Sequence, residues 1–334
     1  MLEEQNLKNI PFSVLDLVPV IQGSSHKQAM ENSLSLAQHV EKLGFKRFWI
    51  SEHHNAESLV SSATPLLIGY IAEGTKTIRV GSGGVMLPNH APLIVAEQFG
   101  TLATLYPDRI DLGLGRAPGT DQLTARALRR ERVETVNDFP RDIQELQYYF
   151  SKTSHNSPVR AIPGEGLEVP LYLLGSSTFS AQLAAELGLP YAFASHFAPN
   201  HLHEAMQLYL NGFRPSKQLE NCYAMAAVNV VVADTDEEAE YLSSSMKQFM
   251  LNIIRNTRQP LPPPVEDMSK IWNPMEEAHI AKMMQYTFVG SQETVRKKIA
   301  NFISETRVDE IITVSHIHNH GSRLKSFELL AQLK

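Results

Sequence analysis

Glu52, His53 and His54 follow one another where the apolar run "RFWIS" (47–51) stops. A carboxylate beside two imidazoles has the chemistry of a metal site, of an acid/base site, or of polar groups surfacing at a strand end. Further on, "IRVGSGGVML" (78–87) places Gly81, Gly83 and Gly84 inside a strand-like run, where glycine marks a bulge or a close backbone approach. "IDLGLGR" (110–116) ends on Arg116, a cation suited to an anionic ligand or to a surface salt bridge. "LGSSTFSAQL" sets Gly175, Ser176 and Ser177 between a strand and a helix start. Free backbone N–H groups and the helix dipole favour a phosphate there, and N-capping accounts for only one of the serines. His196 closes "YAFASH", and "SHIHNH" puts His316 and His318 two residues apart on one strand face. Histidines at several strand ends raise the reading of a metal-dependent hydrolase. Such a site also calls for carboxylates, and only Glu52 stands among these histidines, so no metal ligands are assigned. For His316, His318 and His320 a solvated or hydrogen-bonded side chain is the ordinary expectation.

The elements that must position these residues alternate along the whole chain. Strand-like runs at 12–20, 47–51, 78–87, 110–116, 171–175, 191–197, 225–233 and 309–317 are each followed by a helical stretch. In the first of these helices Met30, Leu34, Ala37, Val40 and Leu43 recur at three and four residues, and Gly44 ends it. Other helices are expected at 61–73, across Leu93 to Leu102, near 134–150, at 181–187, at 201–213, after a cap at Asp234 to Asp236, and at 322–333. Uninterrupted apolar strands alternating with helices imply a parallel sheet covered on both faces, and eight such units fit a closed (β/α)8 TIM barrel. We expect one α/β domain over 1–334, with insertions near 152–168 and 255–288. The second, containing "QPLPPP", is too long for a simple connection and reads as a lid or mobile loop. A barrel of this kind carries its site at the carboxyl ends of the strands, where every residue named above lies.

Composition narrows the partners. The 334 residues are 43% hydrophobic and 20% charged, with a net charge of -6, which argues against a nucleic-acid or anionic-membrane partner. No apolar run approaches the roughly 20 residues of a membrane helix, the start "MLEEQNLKNIPF" lacks the pattern of a signal peptide, and Cys222 is the only cysteine. A soluble cytoplasmic protein acting on a small molecule is the expectation. "GLGRAPG" is not a dinucleotide fingerprint, because Pro118 stands where the third glycine belongs.

The sequence resembles the luciferase-like flavin monooxygenases, the family of the bacterial luciferase alpha subunit. The likeness runs through "GFKRFWISEHHN", "IRVGSGGVMLPNHAPLIVAEQFGTLATLYPDRIDLGLGRAPG", "YLLGSSTFSAQLAAELGLPYAFASHF" and "FVGSQETV", in that order. It implies a (β/α)8 barrel, reduced FMN as cofactor or co-substrate, molecular oxygen, and a homodimer. It also implies a non-proline cis peptide at Gly83-Gly84 beneath the flavin, phosphate binding by Arg116 and Gly175-Ser176-Ser177, and His196 near the flavin ring. His53 matches the family's catalytic histidine, with Glu52 and His54 as supports or surface residues. Two departures leave light emission and a long-chain aldehyde outside the likeness: Gly115 stands where luciferase has a reactive cysteine, and the 255–288 segment has its own sequence. The first functional expectation is a monooxygenase in which reduced FMN, supplied by a separate flavin reductase, meets oxygen at the flavin C4a atom. The peroxide so formed would oxidise a small organic substrate, aldehydes among the candidates. The alternatives are a deazaflavin-dependent hydride transferase on the same barrel, the metal-dependent hydrolase, and a protein that stores FMN without turnover.

Overall fold

The computed structural model describes residue 7 and residues 9–117, 122–128, 138–257 and 259–334. Pro118 and residues 134–137, the expected start of one helix, lie outside the described residues. The strands are β1 (Phe12–Asp16), β2 (Arg47–Ile50), β3 (Arg79–Met86), β4 (Ile110–Gly115), β5 (Leu171–Gly175), β6 (Tyr191–Phe193), β7 (Ala224–Val232), β8 (Thr287–Gly290) and β9 (Glu310–Val314). Neighbours pair in parallel in the order β6-β5-β4-β3-β2-β1-β9-β7, and β6 pairs with β7, so eight strands close into a ring. This is the expected (β/α)8 barrel.

The ninth strand is additional. β7 is long enough to be shared: its first half pairs with β6 and β9, and Asn229 to Val232 pair with Thr287 to Gly290 of β8 outside the ring. β8 ends the 255–288 insertion, which was expected to be loop. Between them run the helices α1 (His26–Lys42), α2 (Thr64–Gly74), α3 (Pro92–Leu105), α4 (Gln122–Leu128), α5 (Phe139–Phe150), α6 (Thr178–Leu187), α7 (Leu202–Gly212), α8 (Asp236–Ile254), α9 (Pro274–Met283), α10 (Gln292–Thr306) and α11 (His320–Ala331). Among the described residues no helix is long and apolar enough to cross a membrane.

Side chains alternate across a strand, so each barrel strand sends every second residue into the lumen. The lumen is stacked in layers. At the amino ends of the strands lies an ionic floor. Arg47 meets Glu310 through two hydrogen bonds, Nε to Oε1 at 2.7 Å and Nη2 to Oε2 at 3.0 Å. Its Nη1 donates to Asp111 Oδ2 at 2.7 Å and to the Tyr172 hydroxyl at 2.8 Å. Asp111 also accepts from Trp49 Nε1 and from Arg79, and Glu310 from Ser13 and Tyr223. Above the floor, Leu15, Trp49, Tyr172, Ala192, Met225, Ala227, Ile312 and Val314 form an apolar middle layer. The third layer is the mouth.

Over the mouth the loops are stitched together. Val20 N–H donates to Ser58 O at 2.8 Å, while Gln22 N–H and Leu261 N–H bind Leu261 O and Val20 O at 2.8 and 2.7 Å. Leu59, Phe249, Met250, Leu251, Leu261 and Ile280 pack beneath as one apolar cluster. The 255–288 insertion is therefore anchored to the loops after β1 and β2 by backbone pairing and burial, rather than hanging free as the reading of a mobile loop implied. The 152–168 insertion rests on α3 where Gly100 and Gly164 meet; a Cβ on Gly100 would fall 2.3 Å from the Gly164 Cα.

The floor sets a testable magnitude. Removing one partner of a buried ion pair leaves an uncompensated charge and costs about 3–5 kcal/mol. Glu310→Ala should lower urea-unfolding stability by that amount, and a loss below about 1 kcal/mol would show that the floor contributes little.

Candidate active site

The mouth has a backbone wall on one side. The Gly83-Gly84 peptide of β3 is cis, as the resemblance implied, and the β3–β4 register shifts between Ser82 and Val85. A Cβ on Gly84 would sit 2.7 Å from Gly113 O, and one on Gly83 would sit 2.7 Å from Leu15 Cδ1. No side chain fits there, so β3 and β4 present a flat polypeptide face. Ser82 Oγ ties the two strands by donating to Gly113 O at 2.8 Å.

His53 stands where β2 runs out. Ser51 Oγ holds its Nδ1 at 3.0 Å and is itself 3.2 Å from Ser61 Oγ, which leaves Nε2 for a ligand. Burial lowers the His53 pKa to about 4, against the pull of the Glu52 carboxylate and with a further lowering from His54. The imidazole thus stays neutral across the physiological range and offers one N–H and one lone pair.

Glu52 and His54 are supports, and buried ones. Glu52 is 1% exposed; its Oε1 lies 2.8 Å from both His54 Nε2 and His90 Nε2, and its Oε2 accepts from Met86 N–H at 3.0 Å. Burial raises its carboxyl, but the bonds from His54, His90 and Met86 outweigh that and hold it at about 2. Glu52 therefore ties the loop carrying His53 to the end of the strand carrying the cis peptide. Glu52, His54 and His90 form a group that a metal ion could be imagined to bridge. Ligand atoms on a tetrahedral zinc stand about 3.3 Å apart, whereas these nitrogen–oxygen separations are those of direct hydrogen bonds. Reading the chain missed His90, because only the contact between two loops brings it to Glu52.

A third corner suits an anion. The Arg116 guanidinium lies 4.3 Å from the ring centroid of Phe179, in the first turn of α6, just past the Gly175-Ser176-Ser177 turn. Ser177 is the N-cap residue, yet its side chain makes no capping bond, so the first-turn N–H groups face outward beside a cation. Among the described residues the contact shown for Arg116 is with that ring face. Gly175 is required by contact, since a Cβ there would fall 1.9 Å from Ser180 Oγ.

The remaining wall is imidazole. His196 follows β6 and His316 follows β9, at 7% and 2% exposed. Burial lowers each pKa to about 3; His316 and His53 add to the effect at His196, and Arg323 and His53 add at His316 while Asp16 opposes. His53, His196 and His316 thus feel one another across one space. His318 and His320 fit the ordinary expectation, contacting Gln22 O at 3.3 Å and Ser35 Oγ at 3.2 Å. His316 does not.

Comparison with known proteins gives the family and the fold. The chain belongs to the luciferase-like monooxygenase family, whose model matches residues 10–310. It is 49% identical to a luciferase-like monooxygenase of Escherichia coli (strain K12) over 98% of both chains. It is 31% identical to the N-acetyl-S-alkylcysteine monooxygenase of Bacillus subtilis (strain 168), over 96% of this chain and 97% of that one. Two solved structures share its fold. The oxygenating constituent of 3,6-diketocamphane monooxygenase from Pseudomonas putida, in complex with FMN, has a TM-score of 0.73 at 17% identity, covering 97% of each chain. An F420-dependent secondary alcohol dehydrogenase has a TM-score of 0.71 at 14% identity, covering 98% of this chain and 99% of that one.

The three lowered histidine pKa values make a prediction about stability. Because the folded values lie below the usual 6.5, the unfolded chain takes up protons first as pH falls. Stability is fully present above pH 6.5 and should drop between 6.5 and 4, by about 1.4 kcal/mol per pH unit for each histidine involved. Urea unfolding at pH 7.5, 6 and 5 should show uptake of more than one proton; equal stability at pH 7.5 and 5 would contradict the buried neutral cluster.

Proposed function

We propose that this protein is a flavin-dependent monooxygenase that uses reduced FMN and molecular oxygen to oxidise a small organic substrate, aldehydes and other carbonyl compounds being candidates. The observation that carries the reading is the pairing of Arg116 with the uncapped start of α6 at the edge of a side-chain-free wall. An FMN phosphate would gain a charge-assisted bond from the guanidinium and N–H bonds from the turn, and the flat ring would lie against Gly83-Gly84. Bound reduced FMN supplies the electrons with which oxygen is activated. The chain's own residues do the rest. The roof of Leu59, Leu261 and Ile280 excludes water, and the neutral His53, held by Ser51 and braced by Glu52, donates or accepts one proton at Nε2.

The chain shows no nicotinamide fingerprint, so a separate flavin reductase is the proposed source of reduced FMN. A homodimer is the proposed assembly. Leu66 and Tyr70 on α2, with Ile94 and Leu105 on the neighbouring α3, are 77%, 42%, 46% and 63% exposed, apolar side chains that a second copy would cover. A monomer by light scattering at micromolar concentration would remove it.

Three substitutions test the site. Arg116→Ala should weaken FMN about tenfold or more while leaving riboflavin, which has no phosphate, within about twofold; equal weakening of both would place the anchor elsewhere. His53→Ala should keep FMN binding within severalfold and lose about 10²–10⁴ in product formation, with hydrogen peroxide released instead. The measurement is product formed per reduced flavin consumed. Unchanged coupling would remove the catalytic role, and a collapse of FMN binding would make His53 a cofactor contact. His54→Ala should be milder.

A further inference from the structure

The mouth holds polar atoms that the proposed FMN phosphate anchor and glycine wall do not use, although the resemblance sets one of their residues, His196, near the flavin ring. His196 Nδ1, both ring nitrogens of His316 and Asn229 Oδ1 are buried without a hydrogen-bonding partner among the described residues. Buried polar groups are normally satisfied, and an unsatisfied set destabilises the fold unless a ligand completes it. These atoms share one place. Met225 and Ala227 of β7 point into the lumen, so Asn229 occupies the next inward position; Ile312 and Val314 of β9 place His316 likewise. Asn229 is in register with Val314, which sets it beside the strand end that His316 continues. Asn229 Nδ2 donates to His196 O at 2.6 Å, joining the third member to the other two. The His316 ring packs on Phe249 of α8 with centroids 4.9 Å apart, which fixes its plane.

The donor set defines the ligand. Both imidazoles are uncharged: His316 offers one N–H and one lone pair, His196 offers its Nδ1, and Asn229 adds an acceptor. A carboxylate could accept from an imidazole N–H but would face the lone pairs of Asn229 Oδ1 and of the other His316 ring nitrogen. Among the described residues an ammonium group would find no carboxylate on the lumen side of these strand ends: Asp16 follows the inward Leu15 and so turns to the outer face of β1, where its Oδ1 accepts from Arg323 Nη2 at 2.8 Å. A group that both donates and accepts without charge matches all three residues. We propose that His196, Asn229 and His316 form a substrate-recognition subsite for an uncharged carboxamide-type group, the apolar remainder of the substrate lying against Leu17, Leu174 and Phe249. The proposal rests on the oxygenase reading in taking this cavity as the substrate's. An imide edge of the flavin ring carries the same pattern of donor and acceptors, so the test separates the two sources.

The probes are N-hexylacetamide, hexanoate and hexylammonium, titrated into the FMN-loaded protein and into the flavin-free protein by calorimetry. The wild type should bind the amide at least about tenfold tighter than either charged chain. His316→Leu should lose about tenfold in amide affinity while FMN affinity stays within twofold, and His316→Asn, which keeps a donor and an acceptor, should recover part of the loss. FMN affinity falling in step with amide affinity would assign the group to the flavin edge and overturn the proposal. So would a preference for a charged chain, or a leucine variant that binds the amide as well as the wild type. Amide selectivity in a protein that binds no FMN would support the subsite and sink the flavin reading instead. Wild-type selectivity among the three probes stands as a test even if the leucine variant does not fold.

Discussion

Arg47 is a buried cation in the throat of the barrel, and the architecture follows from how its charge is met. From β2 it reaches β9 through Glu310, β4 through Asp111 and β5 through Tyr172, so one guanidinium joins four strands. Burial would push its proton off, and the two carboxylates more than reverse that. Charges at this depth persist only when each is paired and hydrogen-bonded, which makes the floor an all-or-nothing assembly. With the floor sealed by ions and the middle filled by Trp49, Tyr172 and Met225, the lumen is open only at the strands' carboxyl ends. A ligand entering the lumen would therefore meet it at the mouth.

The mouth is polar in a different way. The floor's carboxylates and guanidinium are paired, whereas the mouth's imidazoles are neutral and partly unpaired. Glu52 marks the boundary between the two styles: it is a buried carboxylate tied to His54, His90 and a backbone N–H, and it braces His53 without being available to a ligand. A single side chain thereby couples the loop carrying His53 to the glycine wall, so geometry at His53 depends on residues that never touch the cavity.

Much of this was legible in the chain because barrel strands repeat and their ends carry function. The 52–54 run, Arg116 and the 175–177 turn stood out together, since each sits where an apolar run stops, and it was the family resemblance that selected His53 from its neighbours. The ninth strand was not legible: "TFVG" is four residues at the end of a proline-rich stretch, and only the unpaired outer half of β7 gives it a partner. Nor was α4, whose leucines Leu123 and Leu128 are exposed and mark no buried face. His90 escaped because its partner is 38 residues away in sequence. His316 is the instructive case. Its period of two with Ile312 and Val314 was visible and pointed inward, yet the common behaviour of histidine argued for a satisfied side chain.

The central claim is that the mouth is an FMN site that serves oxygen chemistry, on a fold that also serves F420 in another protein. The most direct measurement is an anaerobic titration of the purified protein with reduced FMN and, separately, with a reduced deazaflavin, followed by admission of oxygen. The account predicts tight binding of reduced FMN, weaker binding of the deazaflavin, and rapid oxygen uptake by the FMN complex. Selective binding of the deazaflavin, with no oxygen uptake by the protein in either form, would contradict it.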